Sequence, residues 1–151
     1  MYLRKADIKE IEYLSELVYN SEKSLDFDES YMSIFKDNYN INKEFVKNNP
    51  SYCMIKDDEV IGFFGLQKNE STYELEYFYI DSNYIGKGYG KVMFDLLLQQ
   101  CKALNIKEFN LVTSPESLDF YTKLGAVKIG ETRSIIDSNR IIPKLNYVIE
   151  D

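Results

Sequence analysis

Three observations in this sequence predict a single mixed α/β domain. Apolar residues recur at helical spacing in the first fifty residues. Between Ser51 and Asp81 they give way to dense β-formers broken by short polar turns. A strand, a glycine-rich turn, a helix and another strand then follow in succession over residues 73–113, which predicts a parallel crossover. The element order is β-α-α-β-β-β-α-β-α-β-β, and its flanking hairpins make the sheet mixed. The length of 151 residues suits one domain over 1–151.

Met1 to Lys5 is a short strand. Asp7 caps a helix running to about Ser21, with Ile8, Ile11, Leu14, Leu17 and Val18 on one face. Ser24 to Ser30 is polar and acidic. A second helix spans about Tyr31 to Lys47 and stops before Asn48-Asn49-Pro50. Ser51 to Ile55 and Val60 to Gln67 form a hairpin around Lys56-Asp57-Asp58-Glu59. Lys68 to Ser71 turns into a third strand, Thr72 to Asp81, rich in Tyr and Phe.

The helix after the glycine turn carries Met93, Leu96, Leu97 and Leu104 on one face, with Asn105 as a left-handed terminator. Lys107 to Thr113 is a strand. Ser114-Pro115 opens a short helix that ends at Gly125. Two last strands run from Ala126 to Ile135 and from Ile142 to Ile149. An exposed β edge at 141–149 would suit a homodimer.

The glycine turn is Ile85-Gly86-Lys87-Gly88-Tyr89-Gly90, followed by Lys91. Glycines allow positive φ and close approach of a ligand. A helix start offers unpaired N–H groups and partial positive charge, which suits phosphate. The P-loop pattern G-x-x-x-x-G-K-S/T fails, because Val92 follows Lys91. The dinucleotide pattern G-x-G-x-x-G fails as well.

With its strand and helix, this turn resembles the acetyl-CoA signature of the GNAT N-acetyltransferases, Q/R-x-x-G-x-G/A, with Ile85 in the Gln/Arg position. The likeness is closer to bacterial members with an E-L-E-x-F-x-V/I strand, here Glu74 to Ile80, and a late R-x-x-P, here Arg140 to Pro143. The resemblance implies a GNAT fold: a mixed, mostly antiparallel sheet of six to seven strands flanked by about four helices. It implies an acyltransferase, an acetyl-CoA-dependent N-acetyltransferase acting on a primary amine of a small molecule or peptide by direct attack in a ternary complex. A non-catalytic acyl-CoA-binding or sensing module on the same fold is the competing expectation.

It also implies roles. Phe78, Tyr79 and Ile80 would pair their backbone with the pantetheine arm. Residues 85–91 (Ile85, Gly86, Lys87, Gly88, Tyr89, Gly90, Lys91) would hold the phosphates. Tyr121, in Phe120-Tyr121-Thr122-Lys123-Leu124-Gly125-Ala126, matches F-Y-x-x-x-G-F/A and would protonate the leaving thiolate. Glu116 stands where the family often has Asn, and as a charge near a helix start it is favourable. Strand alternation would place Glu74, Glu76, Phe78 and Ile80 on one face, with Glu76 either taking the amine proton or binding the ammonium. Asp26, Phe27, Asp28 and Glu29 lie where the family overhangs its acceptor and would suit a cationic amine. Arg140, if it faces the cleft, would suit a substrate carboxylate.

Composition excludes other chemistries. There is no His, which removes Ser-His-Asp triads and Cys-His dyads. Cys53 and Cys101 are not at ligand spacing, so no metal is expected. The net charge is −7, a poor surface for nucleic acid. Residues 1–50 hold 10 acids and 7 bases, 51–85 hold 7 and 2, and 86–151 hold 8 and 9. The last stretch alone welcomes a polyanion. No leader at Met1 and no apolar run of about 18 residues point to export or membrane spanning, so the expected location is cytoplasmic.

Overall fold

The chain is described here over residues 1–150 as a computed structural model. Its strands are β1 (Tyr2–Lys5), β2 (Ser51–Lys56), β3 (Glu59–Asn69), β4 (Thr72–Ile80), β5 (Glu108–Val112), β6 (Val127–Arg133) and β7 (Ile141–Val148). They form one sheet in the order β1-β2-β3-β4-β5-β7-β6. Every neighbouring pair is antiparallel except β4 and β5, which are parallel as the crossover predicts. Five α-helices flank it: α1 (Ile11–Lys23), α2 (Glu29–Tyr39), α3 (Lys43–Asn48), α4 (Tyr89–Ala103) and α5 (Leu118–Lys123). None is long and apolar enough to cross a membrane.

Local chemistry explains the boundaries. Asp7 caps a 3-10 turn over Ile8–Glu10, in a box closed by the Glu10 carboxylate on the Asp7 N–H at 2.9 Å. The buried stripe of α1 therefore starts later than the spacing suggests. It is Leu14, Leu17, Val18 and Ser21, and Ile8 is exposed. The single helix expected over 31–47 is broken in two. Asn42 takes extended geometry and accepts from the Phe45 N–H at 2.8 Å, so it starts α3. The β2–β3 hairpin turns on Asp57 and Asp58, both at positive φ. Asn105 and Gly125 terminate α4 and α5 at φ 60° and 112°.

The sheet separates two cores. On one face α4 and α5 pack Met93, Phe94 and Leu97 against Phe64, Leu66, Leu75, Phe109 and Leu145. Here Cys101 completes the buried face of α4, and Leu104, expected there, is exposed. On the other face α1 to α3 pack Leu14, Val18, Met32, Phe35 and Val46 against Cys53, Phe63 and Tyr77. Each fully buried Leu or Phe contributes about 2 kcal/mol. Cys53 and Cys101 are free thiols inside these cores.

Strand β7 lies between β5 and β6, so it is not the free edge expected at 141–149. The free edges are β1 and β6, and all of β6 is exposed.

Candidate active site

The candidate centre is a gap in the sheet. Strands β4 and β5 share a ladder at one pair, Glu74 with Asn110. β4 then continues to Ile80, and its edge on the β5 side has no strand partner from residue 76 onward. The parting begins at a bulge. Gly65 pairs with Tyr77 and Leu66 with Leu75, so Glu76 is an extra residue without a partner in β3. This overturns the simple alternation expected for β4. Leu75, Phe78 and Ile80 face the α4 core, and Tyr77 and Tyr79 face the α1–α3 core. Glu74 and Glu76 do not continue the Phe78–Ile80 face.

A cavity of about 670 Å³ fills the gap. Its floor is β4 from Glu74 to Glu76 and from Phe78 to Ile80. Its far wall is Leu111 to Ser114, the end of β5 and the turn that follows it. One end is the glycine turn and the other is the last turn of α1 with α2.

At the turn, Gly86 and Gly88 have φ +82° and +87°, and a Cβ at either would meet nothing within 4 Å. They are needed for backbone conformation, and the space above them is open to a ligand. Gly90 is needed for another reason: a Cβ there would stand 3.2 Å from the Phe120 ring. Gly88 caps α4 without a side chain. Among the described residues the N–H groups of 86–91 meet no protein acceptor. They form the orphan donor set of a helix start, beside Lys91. Of the residues expected at this end, Ile85, Gly86, Gly88, Gly90 and Lys91 line the cavity. Lys87 does not; its ammonium lies over the Tyr84 ring at 5.7 Å. Tyr89 also points elsewhere and packs edge-on against Tyr84.

Tyr121 lines the same cavity and is 7% exposed. Its ring is held edge-to-face by Phe78, Phe94 and Phe120, with centroids 6.0, 6.3 and 5.0 Å away. Its hydroxyl has no protein partner, yet no buried side-chain oxygen among the described residues is orphaned. The hydroxyl therefore opens on the cavity. Burial pushes its phenol well above the usual range, which keeps it protonated near neutral pH. Glu76 has no hydrogen-bond partner among the described residues. Burial first, and then the neighbouring Glu74, push its carboxyl upward. That direction moves a carboxylate toward the range a general base needs.

The acceptor end differs from the sequence expectation. Asp26 and Glu29 are exposed and do not line the cavity. Asp28 is the N-cap of α2, accepting from the Tyr31 N–H at 2.8 Å. Phe27 stacks on Tyr31 at 3.8 Å and supports the wall from behind. Arg140 lines the cavity. It donates to Glu116, so Glu116 serves an ion pair and not a helix start alone. Its guanidinium lies 4.7 Å from the Phe27 ring centre.

Sequence reasoning missed Glu22, Tyr31, Phe35 and Tyr39, which line this end. The Glu22 carboxylate accepts from the Tyr31 hydroxyl at 2.9 Å, and burial pushes it upward. The available signal was its place in α1, one residue after the last member of the buried stripe, where a side chain leaves the core border. Residues 134–136 of the β6–β7 connection also line the cavity, and Ile136 packs on the α1–α3 core. Ser134 fixes this connection by accepting from the Ile136 and Asp137 N–H groups.

Comparison with known proteins gives the family and the fold. The sequence pattern that defines the acetyltransferase (GNAT) family matches residues 11–126. None of the curated proteins compared with the chain matches it. Among solved structures the chain is similar to PaiA N-acetyltransferase from Thermoplasma acidophilum in complex with coenzyme A. That pair has 21% identity, coverage of 96% and 98% of the two chains, and a TM-score of 0.74. It is similar to an aminoglycoside 6'-N-acetyltransferase complexed with coenzyme A, at 14% identity, coverage of 100% and 98%, and a TM-score of 0.69. It is also similar to IAA acetyltransferase from Bacillus cereus, at 15% identity, coverage of 97% of both chains, and a TM-score of 0.67. At these identities the likeness is one of fold.

Proposed function

This chain belongs to the acetyltransferase (GNAT) family, and from that premise we propose that it is an acetyl-CoA-dependent N-acetyltransferase that passes the acetyl group directly to a primary amine of a small molecule or peptide. One juxtaposition carries the reading. The glycine turn, with its unpartnered amides, and the free hydroxyl of Tyr121 line the same cavity.

Bound acetyl-CoA supplies the activated acetyl group. The amides of 86–91 and the Lys91 ammonium hold its phosphates, and Ile85 adds an apolar contact beside them. The free edge of β4 at Phe78, Tyr79 and Ile80 takes the pantetheine arm as an added strand. An N–H near Tyr79 or Ile80 faces the thioester oxygen and stabilises charge there. Glu22 and Glu76 draw the ammonium inward, and Glu76 takes its proton directly or through one water. The freed nitrogen attacks the acetyl carbon. As the C–N bond forms and the C–S bond breaks, Tyr121 gives its proton to the departing sulfur, the nitrogen sheds its second proton to water, which restores the Tyr121 hydroxyl, and Glu76 returns the proton it took to solvent.

The experiment is direct. Purified protein is mixed with acetyl-CoA and a panel of amines, and thiol release is followed together with N-acetylated product. Transfer to at least one amine is expected. A rise in melting temperature with acetyl-CoA but no transfer to any amine would favour the non-catalytic acyl-CoA-binding module.

A further inference from the structure

Resting on that reading, we propose that the acceptor is a free α-amino acid, with Arg140 reading its carboxylate while its amine faces Glu22 and Glu76. The argument starts from two opposite charges that share a cavity without pairing. Arg140 is held in place on several sides. Its guanidinium lies 4.7 Å from the Phe27 ring centre and 6.0 Å from that of Tyr31, and its side chain is only 18% exposed. Its hydrogen bond runs from Nη2 to Glu116, and the side chain of Glu116 is 56% exposed. Water weakens that partner, and one bond uses one of five guanidinium donors. Among the described residues the remaining donors meet no protein acceptor, and none of them is a buried orphan. They are free at the cavity wall.

Glu22 faces the same space. Its carboxylate is bound by the Tyr31 hydroxyl, and no cation lies within 4.0 Å of it among the described residues. Tyr31 thus touches both charges, with its ring beside the guanidinium and its hydroxyl on the carboxylate. The ring is stacked on Phe27 at 3.8 Å, which holds it beside both charges.

An acceptor with a single ammonium would satisfy Glu22 and Glu76 and leave the Arg140 donors facing a like charge. A diamine would do the same twice. A zwitterion satisfies both ends. Its carboxylate matches the planar fork of a guanidinium, and in a partly enclosed cavity such charge-assisted bonds are strong. Loop residues 134–136 line the same cavity.

The test compares each of the twenty L-amino acids with its C-terminal amide and its decarboxylated amine. Acetyl transfer is measured as kcat/KM. At least one acid should exceed its own amide and amine by tenfold or more. Arg140→Gln should bring acid and amide within about twofold of each other, mainly through KM for the acid, and Arg140→Lys should fall between. Acetyl-CoA should raise the melting temperature of each variant as it does that of the parent, which shows that the fold persists. Amides equal to or better than the acids would overturn the proposal.

A second readout separates this inference from the activity itself. Protein loaded with desulfo-CoA is melted with each acid and each amide. A shift by an acid, absent with its amide and lost in Arg140→Gln, upholds the acceptor class even where no transfer occurs. In that case the acetyl-transfer reading alone fails. No acid acetylated and no acid shifting the melting temperature would overturn the inference.

Discussion

Leu75 and Phe78 are three residues apart on β4 and yet pack in the same core. In a regular strand they would face opposite sides. The extra residue between them is Glu76, which β3 skips. The bulge does two things at once. It places a carboxylate at the cavity floor, and it marks the point beyond which β4 has no partner on the β5 side. The carboxylate proposed as base and the strand edge proposed for the cofactor thus come from one local irregularity.

Glu76→Gln is expected to lower the rate about a hundredfold at neutral pH. In the parent, kcat/KM should rise as pH passes the raised carboxyl pKa, because only the ionised form takes a proton. The variant should lack that limb, and a pH–rate profile checks it. Stability moves the other way. The folded carboxyl binds protons more tightly than the unfolded one at 4.5, so its contribution is lost as pH rises from 4.5 through the folded value. At pH 7 the Gln variant should melt slightly higher, on the order of 1–2 °C.

Tyr121→Phe removes only the hydroxyl and keeps the aromatic packing with Phe78, Phe94 and Phe120. Turnover should fall by roughly 100-fold. The rise in melting temperature caused by acetyl-CoA should stay within about 1 °C of the parent's. Unchanged turnover would remove the acid role.

Gly88→Ala places a Cβ at φ +87° with no neighbour within 4 Å. The cost in free protein is backbone strain alone, about 1–2 kcal/mol. Acetyl-CoA affinity should drop further, because the new methyl stands in the space above the turn. Gly130→Ala, also without neighbours and with no positive φ, is the matched control and should change neither quantity.

Gly65→Ala tests the bulge from its other side. The added Cβ would lie 2.6 Å from the Phe45 ring, which sits on the pairing partner Tyr77. Overpacking of this kind costs about 1–3 kcal/mol. Chemical denaturation measures it, and a loss below 0.5 kcal/mol would mean that α3 shifts freely.

Much of this was legible in the residues. Strand order around the crossover, the glycine turn, Asn105, Gly125 and Tyr121 each announce themselves by local chemistry or short spacing. The bulge did not, because it depends on which β3 residue faces which β4 residue. Glu22 and Arg140 were separated by more than a hundred positions, and Arg140 alone was suspected. Their meeting depends on how α1 and the β6–β7 connection cross the sheet, which no short window contains. Asn42 is a different case. It is an ordinary N-cap, and the apolar residues on both sides of it masked the break.

Cys53 and Cys101 sit in the two opposite cores, and burial pushes both thiols up to about 12. Near neutral pH neither forms thiolate or meets a reagent while the sheet is closed. In a colorimetric assay with a disulfide dye, the signal during turnover then counts released coenzyme and not protein. The same dye, added without substrate, becomes a clock. Each core reports its own opening, and two labelling rates on one chain would say whether the layers above and below the sheet come apart together or in turn.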